Sequence, residues 1–267
     1  MAWFEDSGAR IYYEEEGRGA PVLFLPGWSE SIDEFAALRT AVAADHRVIA
    51  ADLPGSGKSG PQPRQYASSY YLDDADLFAA FLAATGASPA HVLGFSDGGE
   101  VALAMAVRHP RALRSVVAWG AAGQVVTPPE MMDAFYNVVD APPGPFEEFS
   151  AALKSAYGEA NARAMVRSAV TAWRDIAANG RDISRTGAPG IASPVLLISG
   201  EHDFFAPPDV VTELAGAIAG AQSHIVAGAG HVLHEDHGDW LTTTIVDWLS
   251  RHEQGFPPSN LAASPSQ

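Results

Sequence analysis

The chain has 267 residues and no cysteine, a length that suits one domain with a large core and a composition that excludes disulfides, cysteine-ligated metals and a cysteine nucleophile. Its 32 acidic and 16 basic residues give a net charge of −16, which disfavours binding to nucleic-acid phosphates. The start has no signal-peptide pattern and no stretch is apolar for long enough to cross a bilayer, so we expect a cytoplasmic protein that does not bind membranes.

Short apolar runs alternate with segments of helical spacing in the first part of the chain, which is typical of a largely parallel sheet covered by helices. In chain order the runs predict strands at Ile11–Glu16, Val22–Leu25, Arg47–Ala51, His91–Gly94 and Leu113–Trp119. The helical spacing predicts helices at Ser31–Ala44, Tyr70–Ala84 and Gly98–His109.

The pattern changes after Trp119. Residues 121–190 contain no run typical of a buried strand, and the helical spacing of their aromatic residues and methionines predicts a helical cap. The sheet pattern then returns, with strands predicted at Pro194–Ser199 and Ser223–Val226 and helices at Asp209–Ala219 and Trp240–Arg251. We therefore expect a core of residues 1–120 and 191–254, a cap of residues 121–190 and a disordered tail of residues 255–267.

The strongest local motif is Gly94–Gly98, which matches the Gly-x-Ser-x-Gly pattern of a nucleophile at a sharp strand-to-helix turn. A predicted strand precedes it and a predicted helix follows it, as the pattern requires. The two glycines allow neighbouring segments to approach the turn closely. Ser96 is therefore the candidate nucleophile.

A serine nucleophile requires a base, and the base requires an acid that orients it. Asp203 follows one predicted strand and is the candidate acid, while His231 follows the next and is the candidate base. His231 is preferred because the glycine-rich turn before it frees its side chain to reach Ser96. Glu201 stays open as the acid, and three other histidines stay open as the base: His202, His234 and His237.

The oxyanion that forms during such an attack needs two backbone N–H donors. One is expected from Asp97, the residue after the nucleophile, and the other from Trp28, in the loop after the Val22–Leu25 strand. The Trp28 ring either walls the pocket or packs in the core.

The segment Pro54–Ser59 looks like a phosphate-binding loop, but that pattern requires a glycine where Asp52 stands. The histidines lack a metal-ligand spacing, and no organic cofactor motif occurs. We therefore expect neither a metal nor a cofactor.

These residues together resemble the α/β-hydrolase superfamily over nearly the whole chain. The matching stretches are Leu25–Trp28, Asp52–Ser59, the turn at Ser96, Asp203 and His231. The resemblance implies an α/β-hydrolase fold, in which helices flank a mostly parallel sheet and a helical cap is inserted after the sixth strand. It also explains Asp52–Ser59 as the superfamily's own turn after a strand.

A closer resemblance is to the valacyclovir hydrolase (biphenyl hydrolase-like) subgroup, carried by Gly94–Gly99, Trp119–Ala121 and His231–His234. It implies that Asp97 holds the ammonium of an α-amino acid ester. Trp28 is the other candidate substrate-binding residue, because its ring is placed to wall the pocket. A buried carboxylate without a partner is costly, and a cationic substrate would supply one. The alternative is that Asp97 only favours the start of the helix.

The function that follows is a serine esterase that hydrolyses small-molecule carboxylic esters through an acyl-enzyme, with a preference for α-amino acid esters. Hydrolases of carbon–carbon bonds or lactones and perhydrolases share the fold and the triad, and they stay open as alternatives. The non-enzymatic alternative is a receptor-like protein that binds a ligand with this fold. Assembly into a homo-oligomer also stays open.

Overall fold

A computed structural model describes residues 1–253, so the tail expected at 255–267 lies outside the described residues. Eight strands form one sheet in the order β1-β2-β4-β3-β5-β6-β7-β8. Their bounds are β1 Ala2–Asp6, β2 Ala9–Gly17, β3 Pro21–Leu25, β4 Arg47–Ala51, β5 Ala90–Phe95, β6 Leu113–Trp119, β7 Val195–Gly200 and β8 Gln222–Val226. Strands β3 to β8 run parallel and β1 and β2 pair antiparallel at one edge, which confirms the expected fold.

Helices cover both faces of this sheet. Their bounds are α1 Ala36–Ala43, α2 Tyr70–Ala84, α3 Asp97–Arg108, α4 Pro129–Tyr136, α5 Glu147–Tyr157, α6 Glu159–Ala178, α7 Pro208–Ala217, α8 Leu233–Asp236 and α9 Gly238–Arg251. Successive residues of a strand point to opposite faces, so Leu23 and Val92 enter the core beneath α2 and α3. Their neighbours Phe24 and Leu93 enter the core beneath α1 and α9.

Strand β1 is absent from the sequence prediction. It lies at the edge of the sheet and buries none of its five residues fully, so its apolar pattern is weak. Five strands were predicted before the helical segment, and β1 makes the insertion point fall after the sixth strand, as the resemblance implies. The helix predicted at Ser31–Ala44 is confirmed from Ala36 to Ala43, and only its first part differs. A 3₁₀ turn at Ile32–Phe35 precedes α1, because Phe35 adopts non-helical dihedrals (φ −107°, ψ 21°) while its ring packs against Phe24.

Helices α4, α5 and α6 all lie between β6 and β7, and we call them the inserted helices. An isolated bridge between Gln124 and Asp182 joins the two ends of this segment. The division of the chain into a core domain and a cap domain stays a prediction. Among residues 1–253, none of the helices combines the length and the apolarity that crossing a bilayer requires.

Candidate active site

The carboxyl ends of three parallel strands bring three of the predicted residues together. Ser96 follows β5, Asp203 follows β7 and His231 follows β8. The His231 Nε2 lies 3.0 Å from the Ser96 Oγ, and the His231 Nδ1 lies 2.8 Å from the Asp203 Oδ2. A continuous hydrogen-bonded chain therefore runs from the hydroxyl through the imidazole to the carboxylate.

The turn that carries Ser96 is strained and closely packed. Ser96 has φ 50° and ψ −117°, a backbone conformation that residues with side chains rarely adopt. A Cβ on Gly94 would lie 2.2 Å from the Gly98 carbonyl oxygen, and a Cβ on Gly98 would lie 2.3 Å from the Leu25 carbonyl oxygen. Glycine is therefore required on both sides of the serine, which is the physical content of the motif.

Asp203 is buried and its carboxylate is fixed from two sides. The Oδ1 accepts the N–H groups of Phe205 and Ala206, both at 2.9 Å, which leaves the Oδ2 facing His231. The alternative acid Glu201 is exposed and accepts the Gly228 N–H at 2.8 Å instead. The geometry therefore pairs Asp203 with the imidazole.

The other histidines lie elsewhere. His202 is exposed, and His237 lies at the junction of α8 and α9. The ring of His234 packs against Phe35 and Phe95, and burial lowers the pKa of His234 to about 4. His231 is thus the histidine that the structure brings to Ser96.

The loop between β3 and the 3₁₀ turn has one backbone N–H without an acceptor among the described residues, that of Trp28. Pro26 has no N–H, and the other groups are all taken. Gly27 donates to the Glu30 carboxylate, Ser29 to the Ser56 hydroxyl, Glu30 to the Gly27 carbonyl, Ser31 to the Glu34 carboxylate and Ile32 to the Asp52 carboxylate. The Asp97 N–H, at the first position of α3, also lacks an acceptor within residues 1–253. Both residues line the cavity beside Ser96, as an oxyanion hole requires.

A cavity of about 130 Å³ lies between Ser96, His231 and the inserted helices. Its walls are largely aromatic, and the rings that line it belong to Trp28, Tyr71, Phe135, Phe149, Trp173 and Phe205. Trp28 thus lines the pocket and also packs against the main core cluster, and its Nε1 donates to the Tyr66 hydroxyl at 3.0 Å. The described lining residues include two carboxylates, Asp97 and Glu100, and no lysine or arginine.

The expectation that the Asp97 carboxylate lacks a partner is wrong. Its Oδ2 accepts the Tyr70 hydroxyl and its Oδ1 accepts the Tyr71 hydroxyl, both at 2.8 Å. The Tyr70 oxygen in turn accepts the Trp173 Nε1–H at 2.9 Å. Burial raises the pKa of Asp97 to about 6, against the opposing effect of the two hydroxyl donors. These oxygens contact tyrosines rather than the first N–H groups of α3, so no hydrogen-bonded helix cap forms.

Sequence reasoning missed Tyr70, Tyr71 and Glu100. Glu100 lies one turn after Asp97, and its carboxylate accepts the N–H groups of Ala122 at 2.7 Å and Gly123 at 3.0 Å. Burial raises the pKa of Glu100 to about 8. The available signals were a charged residue inside an apolar helix and two adjacent tyrosines at a helix start, and neither signal identifies its partner.

A larger groove of about 760 Å³ adjoins this cavity at His231. It shares His231, Phe135, Phe149 and Phe205 with the inner cavity. Its lining includes four acidic side chains, those of Glu30, Glu34, Glu148 and Glu235. His231 therefore lines both the small cavity and the larger groove.

The loop that looked like a phosphate site wraps around a carboxylate instead. Asp52 is fully buried and accepts the Ile32 N–H at 2.8 Å and the Lys58 N–H at 2.7 Å. A Cβ on Gly57 would lie 2.3 Å from the Asp52 Oδ2. Within residues 1–253 no cluster of three or more potential ligand side chains is arranged to hold a metal.

A family model described as "alpha/beta hydrolase fold" matches residues 20–156. The chain is 27% identical to the 2-hydroxymuconate semialdehyde hydrolase of Pseudomonas sp. (strain CF600) over 91% of this chain and 92% of that protein. It is 26% identical to the human serine hydrolase BPHL over 91% of this chain and 84% of that protein. It also matches the polyketide synthase ThaQ of Burkholderia thailandensis at 28% identity over 91% of this chain, but it spans only 12% of that protein.

Among solved structures, the enol-lactonase from Burkholderia xenovorans LB400 superposes with a TM-score of 0.75. The alignment covers 93% of this chain and 100% of the lactonase, at 22% sequence identity. At that identity the superposition is evidence for the fold alone. The 2-hydroxymuconate semialdehyde hydrolase and the enol-lactonase carry names for different reactions. The reaction of this chain therefore has to be argued from its own site.

Proposed function

The chain belongs to the α/β hydrolase fold family, and on that premise we propose that it is a serine hydrolase that cleaves carboxylic esters through an acyl-enzyme at Ser96. The observation that carries the proposal is the chain of two hydrogen bonds, 3.0 Å and 2.8 Å long, from Ser96 through His231 to Asp203. The order of these residues along the chain supports it as well.

In the first step the Ser96 Oγ attacks the ester carbonyl carbon while the His231 Nε2 takes the hydroxyl proton. The N–H groups of Trp28 and Asp97 stabilise the oxyanion. The tetrahedral intermediate then expels the alcohol, which receives the proton from His231. A water molecule attacks the acyl-enzyme by the same route and releases the acid. Asp203 holds the Nδ1–H of the ring throughout.

The surroundings of Ser96 favour neutral or cationic acyl groups. Two carboxylates and no lysine or arginine line the described inner cavity, so an anionic acyl group would enter without a counter-charge. The small cavity suits the acyl group, and the larger groove beyond His231 suits the alcohol. These features support the hydrolysis of esters with neutral or cationic acyl groups over the cleavage of substrates with anionic acyl groups.

A second candidate keeps the same residues and cleaves a carbon–carbon bond or a lactone. It is favoured by the similarity to the 2-hydroxymuconate semialdehyde hydrolase over nearly the whole chain. Turnover of plain esters, lactones and vinylogous β-diketones by one preparation would separate the reactions. The proposal expects the plain esters to react fastest.

Within ester hydrolysis we propose a preference for α-amino acid esters, with Asp97 as the partner of the ammonium. A pKa of about 6 leaves its carboxylate anionic at neutral pH. Each carboxylate oxygen accepts one tyrosine hydroxyl and retains a second acceptor position. The carboxylate therefore keeps the capacity to bind an N–H donor.

The nucleophile is tested with Ser96→Ala. The variant should remain folded, lose p-nitrophenyl acetate turnover and lose labelling by a fluorophosphonate, whereas Glu201→Gln should keep both. Turnover at the wild-type rate in Ser96→Ala would overturn the proposal.

The ammonium site is tested with Asp97→Asn, since the amide keeps the shape and removes the charge. Alanine p-nitrophenyl ester and its neutral isostere, the isobutyrate ester, form the matched pair. The ratio of their kcat/KM values should fall at least about tenfold in the variant, the size expected for a charge-assisted contact of roughly 1.5 kcal/mol or more. An unchanged ratio would remove the preference and leave the nucleophile in place.

A further inference from the structure

The oxyanion loop is held at Ser29, the residue after the N–H donor Trp28. Ser29 adopts φ +65°, an unfavourable conformation for a residue with a side chain. Such a conformation persists only where its surroundings hold it. Ser29 is held at both of its peptide groups. Its N–H donates to the Ser56 Oγ at 3.0 Å, and its carbonyl accepts the Tyr157 hydroxyl at 2.7 Å.

One of these two contacts comes from the inserted helices. Tyr157 is the last residue of α5, 128 positions along the chain from Ser29. Its hydroxyl also accepts the Gly57 N–H at 2.8 Å. The Tyr157 hydroxyl oxygen therefore bridges the loop that contains Ser29 and the loop that contains Gly57. Burial raises the pKa of Tyr157 to about 12, so the hydroxyl keeps the proton that it donates.

The direction of the Trp28 N–H depends on the backbone on both sides of it. On the N-terminal side, the Gly27 N–H is turned away by the Glu30 carboxylate at 2.9 Å. On the C-terminal side, Ser56 and Tyr157 hold Ser29. An oxyanion donor acts only within a narrow range of distance and direction, so release of Ser29 would misalign Trp28 without removing it.

We propose that Tyr157 is a positioning residue for the oxyanion hole, so that an inserted helix contributes to transition-state stabilisation as well as to the pocket wall. The Tyr157 hydroxyl fixes the Ser29 carbonyl, and Ser29 fixes the Trp28 N–H. This inference rests on the proposed serine-hydrolase function.

The direct test is Tyr157→Phe, which removes one oxygen and keeps the ring. On p-nitrophenyl acetate kcat should fall about tenfold while KM changes less than twofold, because the lost interaction acts in the transition state. The affinity for a boronic acid, a mimic of the tetrahedral intermediate, should fall by the same factor as kcat/KM. The matched control is Tyr136→Phe on α4, since the Tyr136 hydroxyl makes no hydrogen bond among the described residues, and it should behave as wild type.

A second variant reaches Ser29 from the core side. Ser56→Ala removes the acceptor of the Ser29 N–H and should give the same loss of kcat with little change in KM. The double variant should lose less than the product of the two single losses, because one release already frees the loop. This variant keeps the test decisive if Tyr157→Phe folds poorly.

Wild-type kcat and boronate affinity in a folded Tyr157→Phe or Ser56→Ala, with Ser96→Ala still inactive, would overturn the positioning role alone. A loss of thermal stability with unchanged boronate affinity would do the same, since a purely structural contact behaves in that way. If the wild type showed no turnover that depends on Ser96, both the positioning role and the proposed function would be overturned.

Discussion

Two regions of the molecule differ in how they are built. One is the edge formed by the carboxyl ends of the parallel strands, and the other is the set of inserted helices. At the edge, three strand ends fix Ser96, Asp203 and His231 through short hydrogen bonds and glycine contacts that leave no room for a Cβ. The inserted helices reach the same site mainly through aromatic rings. Hydrogen bonds also join them to the rest of the chain. The Ser168 hydroxyl accepts the Tyr66 N–H, Trp173 donates to Tyr70, and the Tyr157 hydroxyl donates to Ser29 and accepts from Gly57. The difference suggests that the edge carries the chemical step and the helices select the acyl group.

The two regions meet at Trp28 and Asp97. Each residue has a backbone N–H without an acceptor among the described residues and lines the cavity beside Ser96, while its side chain contacts aromatic residues of the site. The side chain of Asp97 is also linked to the inserted helices, because its partner Tyr70 accepts the Trp173 N–H. A substitution in either region should therefore reveal whether that region controls the rate of the chemical step or the choice of acyl group.

The largest effect is expected at the sheet edge from Asp203→Asn. The amide would favour the wrong imidazole tautomer, so His231 could not take the Ser96 proton, and kcat should fall about 10⁴-fold. Glu201→Gln is the control, since the amide oxygen can still accept the Gly228 N–H. Steady-state rates on p-nitrophenyl acetate decide the point, and near-normal activity in Asp203→Asn would assign the acid elsewhere.

A loss of stability is expected next from Gly98→Ala. The new Cβ would meet the Leu25 carbonyl oxygen at 2.3 Å and the Pro26 carbonyl oxygen at 2.5 Å, so the variant should lose about 2 kcal/mol or more in urea unfolding. Gly216→Ala is the control. It lies in α7 with nothing within 4 Å of its new Cβ, and it should gain up to about 1 kcal/mol. Equal stability of the two variants would show that the edge tolerates movement.

The inserted helices are tested with Phe135→Leu. Phe135 lines the inner cavity, so the smaller side chain should raise the kcat/KM ratio of hexanoate to acetate p-nitrophenyl esters about tenfold. Phe146→Leu is the control. Phe146 packs against Phe135, and within the described part of the chain it lines the larger groove but not the inner cavity. A tenfold fall in rate on both esters, with no change in their ratio, would contradict the division of roles.

The last prediction is an effect that grows gradually as the pH falls, and it concerns His91 near the start of β5, inside the sheet. Burial lowers the pKa of His91 to about 3, while its value in the unfolded chain is about 6.5. The unfolded state therefore binds the extra proton first, and the His91 contribution to the free energy of unfolding should fall by about 1 kcal/mol for each pH unit below roughly 6.

His91→Gln is the matching variant, since its amide can keep a hydrogen bond to the Ser115 hydroxyl, which lies 2.8 Å from the His91 Nδ1. The difference in urea unfolding between wild type and variant isolates His91 from the buried carboxylates, whose raised pKa values act in the opposite direction. A difference that stays constant from pH 7 to pH 4.5 would exclude the buried histidine as a source of acid sensitivity.

The sequence made the edge of the sheet predictable because its requirements are local. Gly94 and Gly98 flank Ser96 within five residues, and the strand before Asp203 is a continuous apolar run from Val195 to Ile198. The bounds predicted for β4, β6 and α2 match the structure residue for residue. Such patterns arise from the backbone and from burial, which act over short stretches of chain.

The contacts that join the two regions were not predictable. Tyr71 and Asp97 are 26 positions apart, and Tyr157 and Ser29 are 128 apart. A tyrosine in an amphipathic helix gives no sign of its partner until the fold is known. The expectation that the Asp97 carboxylate has no partner in the protein failed for this reason, because the tyrosines that donate to it lie on another helix.

The central claim is that Ser96 carries the acyl group during turnover. Wild-type protein is mixed with p-nitrophenyl acetate, quenched in acid within the first turnovers, digested and analysed by peptide mass spectrometry. We predict one acetyl group on Ser96, absent in Ser96→Ala, at a level that follows the initial burst of p-nitrophenol. Acetylation at another residue with Ser96 unmodified, or turnover that proceeds at the wild-type rate in Ser96→Ala, would contradict it.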